Sequence, residues 1–194
     1  MRVHQQNKIL VLLLLLQAFF TVGVMAQGRA TDYVVKKVNV EFINTPEYQF
    51  TGTQRRSDNR EKWMEIETEF DATPEFTEEL TFKYYVQINK NVYTGEVTHV
   101  DIAGGKGLFS VMYISPRAIS RILEGKPMNG AAIEKVSVEI TKQGATVGFG
   151  SWKNEKTGWW ASSPQKPGFL RNKNETPFAP LYWERYEAIK TNVR

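Results

Sequence analysis

The sequence predicts an all-β protein: an antiparallel two-sheet β-sandwich with one short crossover helix and an aromatic C-terminal tail ending in a second short helix. Three observations predict it. Apolar residues recur at every second position through most of the stretch from Tyr33 to Ala103, the period of a half-buried strand. The links between these runs are short, as hairpin-connected neighbours allow. Four of the eight prolines (Pro164, Pro167, Pro177 and Pro180) crowd into the last part of the chain, where regular pairing should give way to extended backbone. A small open barrel is the alternative closure for the same strands.

The chain opens "MRVHQQNKILVLLLLLQAFFTVGVMAQGRA". Arg2 and Lys8 precede an apolar run, Ile9 to Val24, and Val24-Met25-Ala26 offers a small-residue cut. This is the pattern of a secretory signal peptide over residues 1–26. An uncleaved anchor is the rival, because the run approaches the roughly 20 residues that span a bilayer. After cleavage no second such run follows, so no membrane span is expected in the remainder. Residues 27–152 should form the sandwich domain, and 153–194 the extended, proline-rich tail packed on it.

Within the sandwich, "VVKKVNVEF" turns Val38, Val40 and Phe42 inward and Lys37, Asn39 and Glu41 outward. "KWMEIETEF" buries Met64, Ile66, Thr68 and Phe70 and presents Glu65, Glu67 and Glu69 to water. "LTFKYYVQI" buries Leu80, Phe82, Tyr84, Val86 and Ile88. Pro46, Pro74 and the polar stretch from Gln54 to Arg60 separate these runs. Asn91–Ile102 gives a fourth strand interrupted at Gly95, Ala103–Gly107 a turn, and Leu108–Ile114 a fifth strand. "SPRAISRILEG" then carries helix signals: Ser115 to cap, Pro116 at the first helical position, and Gly125 to stop. Val136, Val138 and Ile140 alternate in a sixth strand, Lys142-Gln143-Gly144 turns, and Val147 and Phe149 return in a seventh.

The fifth strand is apolar on both faces, with Leu108, Ser110, Met112 and Ile114 on one side and Phe109, Val111 and Tyr113 on the other. Such a strand must be covered twice. The tail is the available cover, and the expectation is that the segment with Trp159 and Trp160 wraps over the Phe109–Tyr113 face, extended by Tyr93 and Val97. "LYWERYEAIK" reads as a short helix with Tyr182, Tyr186 and Ile189 along one side.

Composition excludes several chemistries. The chain has no cysteine, which removes thiol catalysis, iron–sulfur clusters and cysteine zinc sites. The net charge of +4 owes two charges to the leader, and a nearly balanced surface argues against nucleic acid as a partner. His99 is the one histidine beyond the leader. Asp101 shares its strand face, yet no nucleophile-elbow pattern accompanies them, and a surface strand histidine is expected. "GGKG" at 104–107 lacks the spacing of a phosphate loop. Carboxylates two apart on a strand, as in Glu65/Glu67/Glu69, stand ~6.5–7 Å apart, too far for a compact cage, so a solvated acidic face beside Lys37 or Lys83 is expected. Asn174-Glu175-Thr176 matches a short glycosylation acceptor pattern. No catalytic residue, metal or cofactor is expected.

The aromatic residues Trp152, Trp159, Trp160, Tyr182 and Trp183, with Phe109 and Tyr113, form the one candidate binding constellation. They are read as an internal latch, as anchors for a protein partner, or as a platform for sugar rings.

The segments "WMEIETEF", "TFKYYVQIN", "SPRAISRIL", "GWWASSP" and "PLYWERYE" give the chain a layout that resembles small exported immunoglobulin-like proteins associated with bacterial type IV pilus assembly. That resemblance implies an immunoglobulin-like sandwich without catalytic residues, placed in the periplasm, at the outer membrane or outside the cell, and acting through protein contacts with envelope or pilus components. Two departures stand out. The leader lacks the glycine cut site and glutamate of a prepilin, and the Cys–Trp–Cys core of antibody domains is missing. The expected function is that of an exported, non-catalytic interaction protein, with carbohydrate binding through the C-terminal tryptophans as the alternative.

Overall fold

A computed structural model describes residues 31–48, 62–127 and 130–191; the leader and the polar stretch from Gln54 to Arg60 lie outside them. Thr31–Arg194 forms one compact unit. It is built from β1 (Tyr33–Asn44), β2 (Lys62–Ile88), β3 (Asn91–Ile114), helix α1 (Pro116–Ile122), β4 (Ile133–Lys142), β5 (Ala145–Ser151), β6 (Gln165–Pro167) and β7 (Leu170–Asn172).

The sandwich is made by a ribbon that folds on itself. The two runs predicted over 62–70 and 80–88 are one strand, β2, and the two predicted over 91–102 and 108–114 are one strand, β3. They pair antiparallel along almost their whole length. Midway the register slips between Phe70 and Phe76, and the ribbon bends there. Residues 103–107 therefore form a bulged bend inside β3 rather than the expected turn. Gly104 is needed at this bend, because a Cβ there would lie 2.0 Å from the Pro74 carbonyl oxygen. Gly107 takes φ +69° and donates its N–H to Asp71 Oδ1 at 3.0 Å.

The first half of β2 and the second half of β3 build one layer, flanked by β1 and β7. The second half of β2 and the first half of β3 build the second layer with β4, β5 and β6. The layers face each other. Tyr84 donates its hydroxyl to Ser110 Oγ at 2.9 Å, although Ser110 pairs across the ribbon with Thr68. Roughly 50 Å of extended chain separates Thr68 from Tyr84 along β2, so only a folded ribbon closes that contact. Phe70 and Phe82 meet in the middle, ring centroids 4.9 Å apart. The inward sets predicted for β2 are all buried, with Ile66, Leu80, Phe82 and Val86 fully so. Helix α1, capped by Ser115 Oγ on the Ala118 N–H, carries the chain from the first layer to the second and buries Ile119 and Ile122.

The tail departs from expectation in two ways. It is not uniformly extended: Trp159–Ser162 and Lys173–Glu175 are 3-10 turns, and β6 and β7 pair along β3 for three residues each. The predicted terminal helix does not form. Residues 181–186 make bends and turns, with Tyr182 at φ +52°. So short a helix gains little in water. The backbone bonds β3 instead, with Val100 N–H to Ala188 O at 2.9 Å and Lys190 N–H to Thr98 O at 2.8 Å.

Candidate binding surface

The seven aromatic residues singled out in the sequence do not form one site. Trp159 and Trp160 sit on the outer face of the second layer. Gly158, at φ +79°, starts a 3-10 turn whose geometry turns both neighbouring rings toward the sheet, as a strand could not. Trp160 stacks on Tyr85 at 4.0 Å and 9° and lies against Phe149 and Trp159. Trp159 Nε1 donates to Ser137 Oγ at 2.8 Å. Trp152 packs half-buried against the main core, with Lys153 Nζ 3.9 Å over its ring. The expectation that Trp159 and Trp160 cover the Phe109–Tyr113 face is thus corrected: they cover Tyr85 and Val92 instead, while Tyr93 and Val97 belong to the main core.

The Phe109–Tyr113 face is covered by a different strap, residues 177–187. Phe178 stacks on Tyr113 at 4.7 Å and 8°, and Trp63 meets Phe178 edge-on at 5.6 Å. Arg185 grips Glu67 with two hydrogen bonds of 2.8 and 3.0 Å and lies 3.8 Å over the Phe109 ring. Tyr186 donates to the same carboxylate at 2.8 Å. Burial alone would raise the Glu67 pKa; the hydrogen bonds from Arg185 and Tyr186 outweigh it and hold the carboxyl below the usual range.

This cover is incomplete. Between β1, β2 and the strap runs a groove of about 640 Å³. It is lined by Glu41, Glu65 and Tyr113, by the apolar Ile43, Phe178 and Leu181, and by Glu67 with its partner Arg185. Tyr182, 69% exposed, lines its rim, and its neighbour Trp183 is 70% exposed. Glu65 pairs across the sheet with Glu41. Partial burial pushes the Glu65 carboxyl up and the charges of Glu67 and Glu41 add to it, against lowering contributions from the Tyr113 hydroxyl and the Arg185 charge.

His99 overturns the expectation of a surface histidine: it is 1% exposed. It faces the core with its ring edge-on to Phe82, whereas Asp101, at φ +54°, is exposed and does not orient it. The Glu187 carbonyl, 3.0 Å from Nδ1, can only accept, so Nδ1 carries the proton. Nε2 then accepts from Ser110 Oγ at 2.8 Å, and Ser110 accepts from Tyr84. Burial lowers the His99 pKa to about 4. Ser110 and His99 meet as a nucleophile and base would, but both are sealed between the layers. Among the described residues no three acidic or histidine side chains gather as for a metal ion, and no helix is long and apolar enough to cross a membrane.

Sequence reasoning missed the Glu67–Arg185–Tyr186 lock and the buried His99. The signal for the lock was present as an acidic stripe and a distant "ERY", which only the fold brings together.

Fold and surface together define a β-sandwich with a grooved outer face and a strap of its own tail beside it. A protein-family model matches residues 24–193, and the chain belongs to the family that this model describes. The fold is similar to that of a crystal structure of a protein from Akkermansia muciniphila, with a TM-score of 0.70 at 21% identity, covering 83% of this chain and 94% of that one. No curated protein matches the chain.

Proposed function

We propose that the protein is exported and works without catalysis as an interaction component of a bacterial cell envelope. In this reading a partner protein docks at the groove and at the Tyr182–Trp183 rim. The observation that carries it is the exposure of two large aromatic rings, at 69% and 70%, on a turn whose left-handed Tyr182 backbone is strained. Such strain persists at functional sites, and Trp and Tyr dominate interface hot spots. The likeness to exported pilus-associated proteins makes pilus components the first partners to test. The burial of Ser110 and His99 supports a non-catalytic role.

A photoreactive amino acid placed at Trp183, with a control at the exposed Gly144 turn, tests the reading in intact cells. An ultraviolet-dependent adduct to an envelope protein from position 183, and none from 144, is expected. No adduct at 183, or equal adducts at both positions, removes the docking surface. The carbohydrate reading retains Tyr182 and Trp183 as a platform, with Asn39, Asn44 and Glu41 along the groove as hydrogen-bonding groups. Saturable binding on a glycan panel, lost in Trp183→Ala, would replace the protein reading with that one.

A further inference from the structure

The acidic stripe of β2 is treated by the fold in two ways. At Glu67 the protein supplies its own cation: Arg185 binds the carboxylate and covers an aromatic ring of β3, Phe109. One pleat along, Glu65 lies directly opposite Tyr113 on β3, whose ring is stacked on Phe178. Here no ion pair forms: Arg185 lines the same groove and its charge reaches Glu65, but its guanidinium is bound to Glu67. Among the described residues, no salt bridge reaches Glu65 or Glu41. Glu41 is tied only to the Asn39 amide, at 2.7 Å. Like charges directly opposite on paired strands destabilise a sheet, and Glu65 is also partly withdrawn from water. The notch is flanked by Ile43, Phe178 and Leu181, so it offers a carboxylate pair inside apolar walls.

Resting on the docking reading above, we infer that the groove accepts an extended partner segment whose arginine or lysine side chain seats between Glu41 and Glu65, with apolar neighbours against Ile43 and Leu181. Arg185 at Glu67 shows how a carboxylate of this stripe holds a guanidinium, one N–H to each oxygen. A planar, forked cation suits that geometry better than a point charge, so arginine should bind tighter than lysine.

The test uses four capped tripeptides, Ac-Leu-Arg-Leu-NH2 and its lysine, glutamine and glutamate counterparts, titrated into the protein while backbone amide shifts are followed by NMR. The arginine peptide is expected to bind saturably and shift the amides of Ile43, Glu65 and Tyr113. Its affinity should exceed that of the glutamine peptide by about fivefold, the factor an ion pair of this exposure supplies. Glu65→Gln should abolish that preference, while Glu69→Gln, on the same stripe but outside the groove, should keep it. Equal binding of all four peptides, shifts confined to another face, no binding at millimolar concentration, or a preference that survives Glu65→Gln overturns the inference. Cross-linking from position 183 is read independently. If it persists while the charge preference is absent, the docking reading stands and only the cation is wrong.

Discussion

The tail covers the sandwich twice, and the two covers differ in what they leave over. At Trp159–Trp160 the rings are spent: Trp160 is stacked and 6% exposed, and the Trp159 indole N–H is satisfied by Ser137. At 177–187 the strap buries Phe178 and half-buries Tyr186, yet it holds Tyr182 and Trp183 outward beside an open groove. Adjacent aromatic residues in one tail thus serve opposite ends. The first pair packs on the protein itself, and the second faces solvent. What separates them is backbone geometry: the 3-10 turn after Gly158 aims its rings at the sheet, and the left-handed Tyr182 turns its ring away.

The largest expected effect breaks the first cover. Trp160→Ala deletes a stacked, buried indole, and removal of such a ring costs about 3 kcal/mol or more. Urea unfolding should show that loss, with groove binding unchanged in the folded fraction. A cost below ~1 kcal/mol would mean that the indole pad is not a structural cover and that the contrast is false.

Next comes acid, which acts on the second cover through His99. The folded state keeps this imidazole neutral, with a pKa of about 4 against an ordinary 6.5. Between those values the unfolded chain takes up a proton that the folded one refuses. Stability is therefore full above pH 6.5 and falls as the pH drops toward 4, by about 3 kcal/mol in total. Glu67, held low, adds to the loss at still lower pH, whereas Glu65 and Glu187, both raised, work the other way. Comparing unfolding free energies at pH 7 and 5 in the wild type and His99→Gln isolates the histidine. The variant should be less stable at pH 7 and show a flatter pH slope; an unchanged slope would place the titration elsewhere. Because His99 Nδ1–H holds the Glu187 carbonyl, the strap should loosen before the Trp160 pad does.

Two carboxylates on one strand sharpen the comparison further. Glu67→Gln loses a charge-assisted pair with Arg185, which is half-exposed, so the cost is about 1 kcal/mol. Glu65→Gln removes a like-charge contact with Glu41 and should leave stability unchanged or slightly raised. Opposite signs at neighbouring outward positions, measured as melting-temperature shifts, would mark Glu67 as structural and Glu65 as kept for another use. Equal losses would erase that distinction.

Much of this architecture was legible in the residues. Strict alternation in "KWMEIETEF" and "LTFKYYVQI" located the buried face of β2 residue by residue, because a period of two admits one assignment when one face is apolar. Ser115-Pro116 marked helix α1 through capping chemistry. The doubly apolar fifth strand announced that its outer face would be covered. The cover's identity did not follow, because which tail segment reaches which face depends on the path along β3, and no local pattern encodes it. His99 was misread for a related reason: its burial comes from the opposite layer and from residues 187–190, all distant in sequence. "LYWERYEAIK" had helical spacing, but ladder bonds to Thr98 and Val100 outweighed a propensity worth only tenths of a kcal/mol per residue.

The smallest expected effect concerns the exposed rim. Trp183→Ala removes a ring that touches little of its own protein, so stability should change by less than ~0.5 kcal/mol. Tyr182→Gly relieves a left-handed conformation costing about 1–2 kcal/mol for a side-chain-bearing residue, against glycine's entropic cost of about 0.5–1 kcal/mol. The melting temperature should then hold or rise slightly. Both variants should nonetheless weaken partner cross-linking from a probe moved to Leu181, at the groove wall. Neutral stability with weakened docking is the pairing that an interface ring shows and a packing ring does not. A Trp183→Ala loss as large as that of Trp160→Ala would make the two covers alike, and the rim would then be part of the latch.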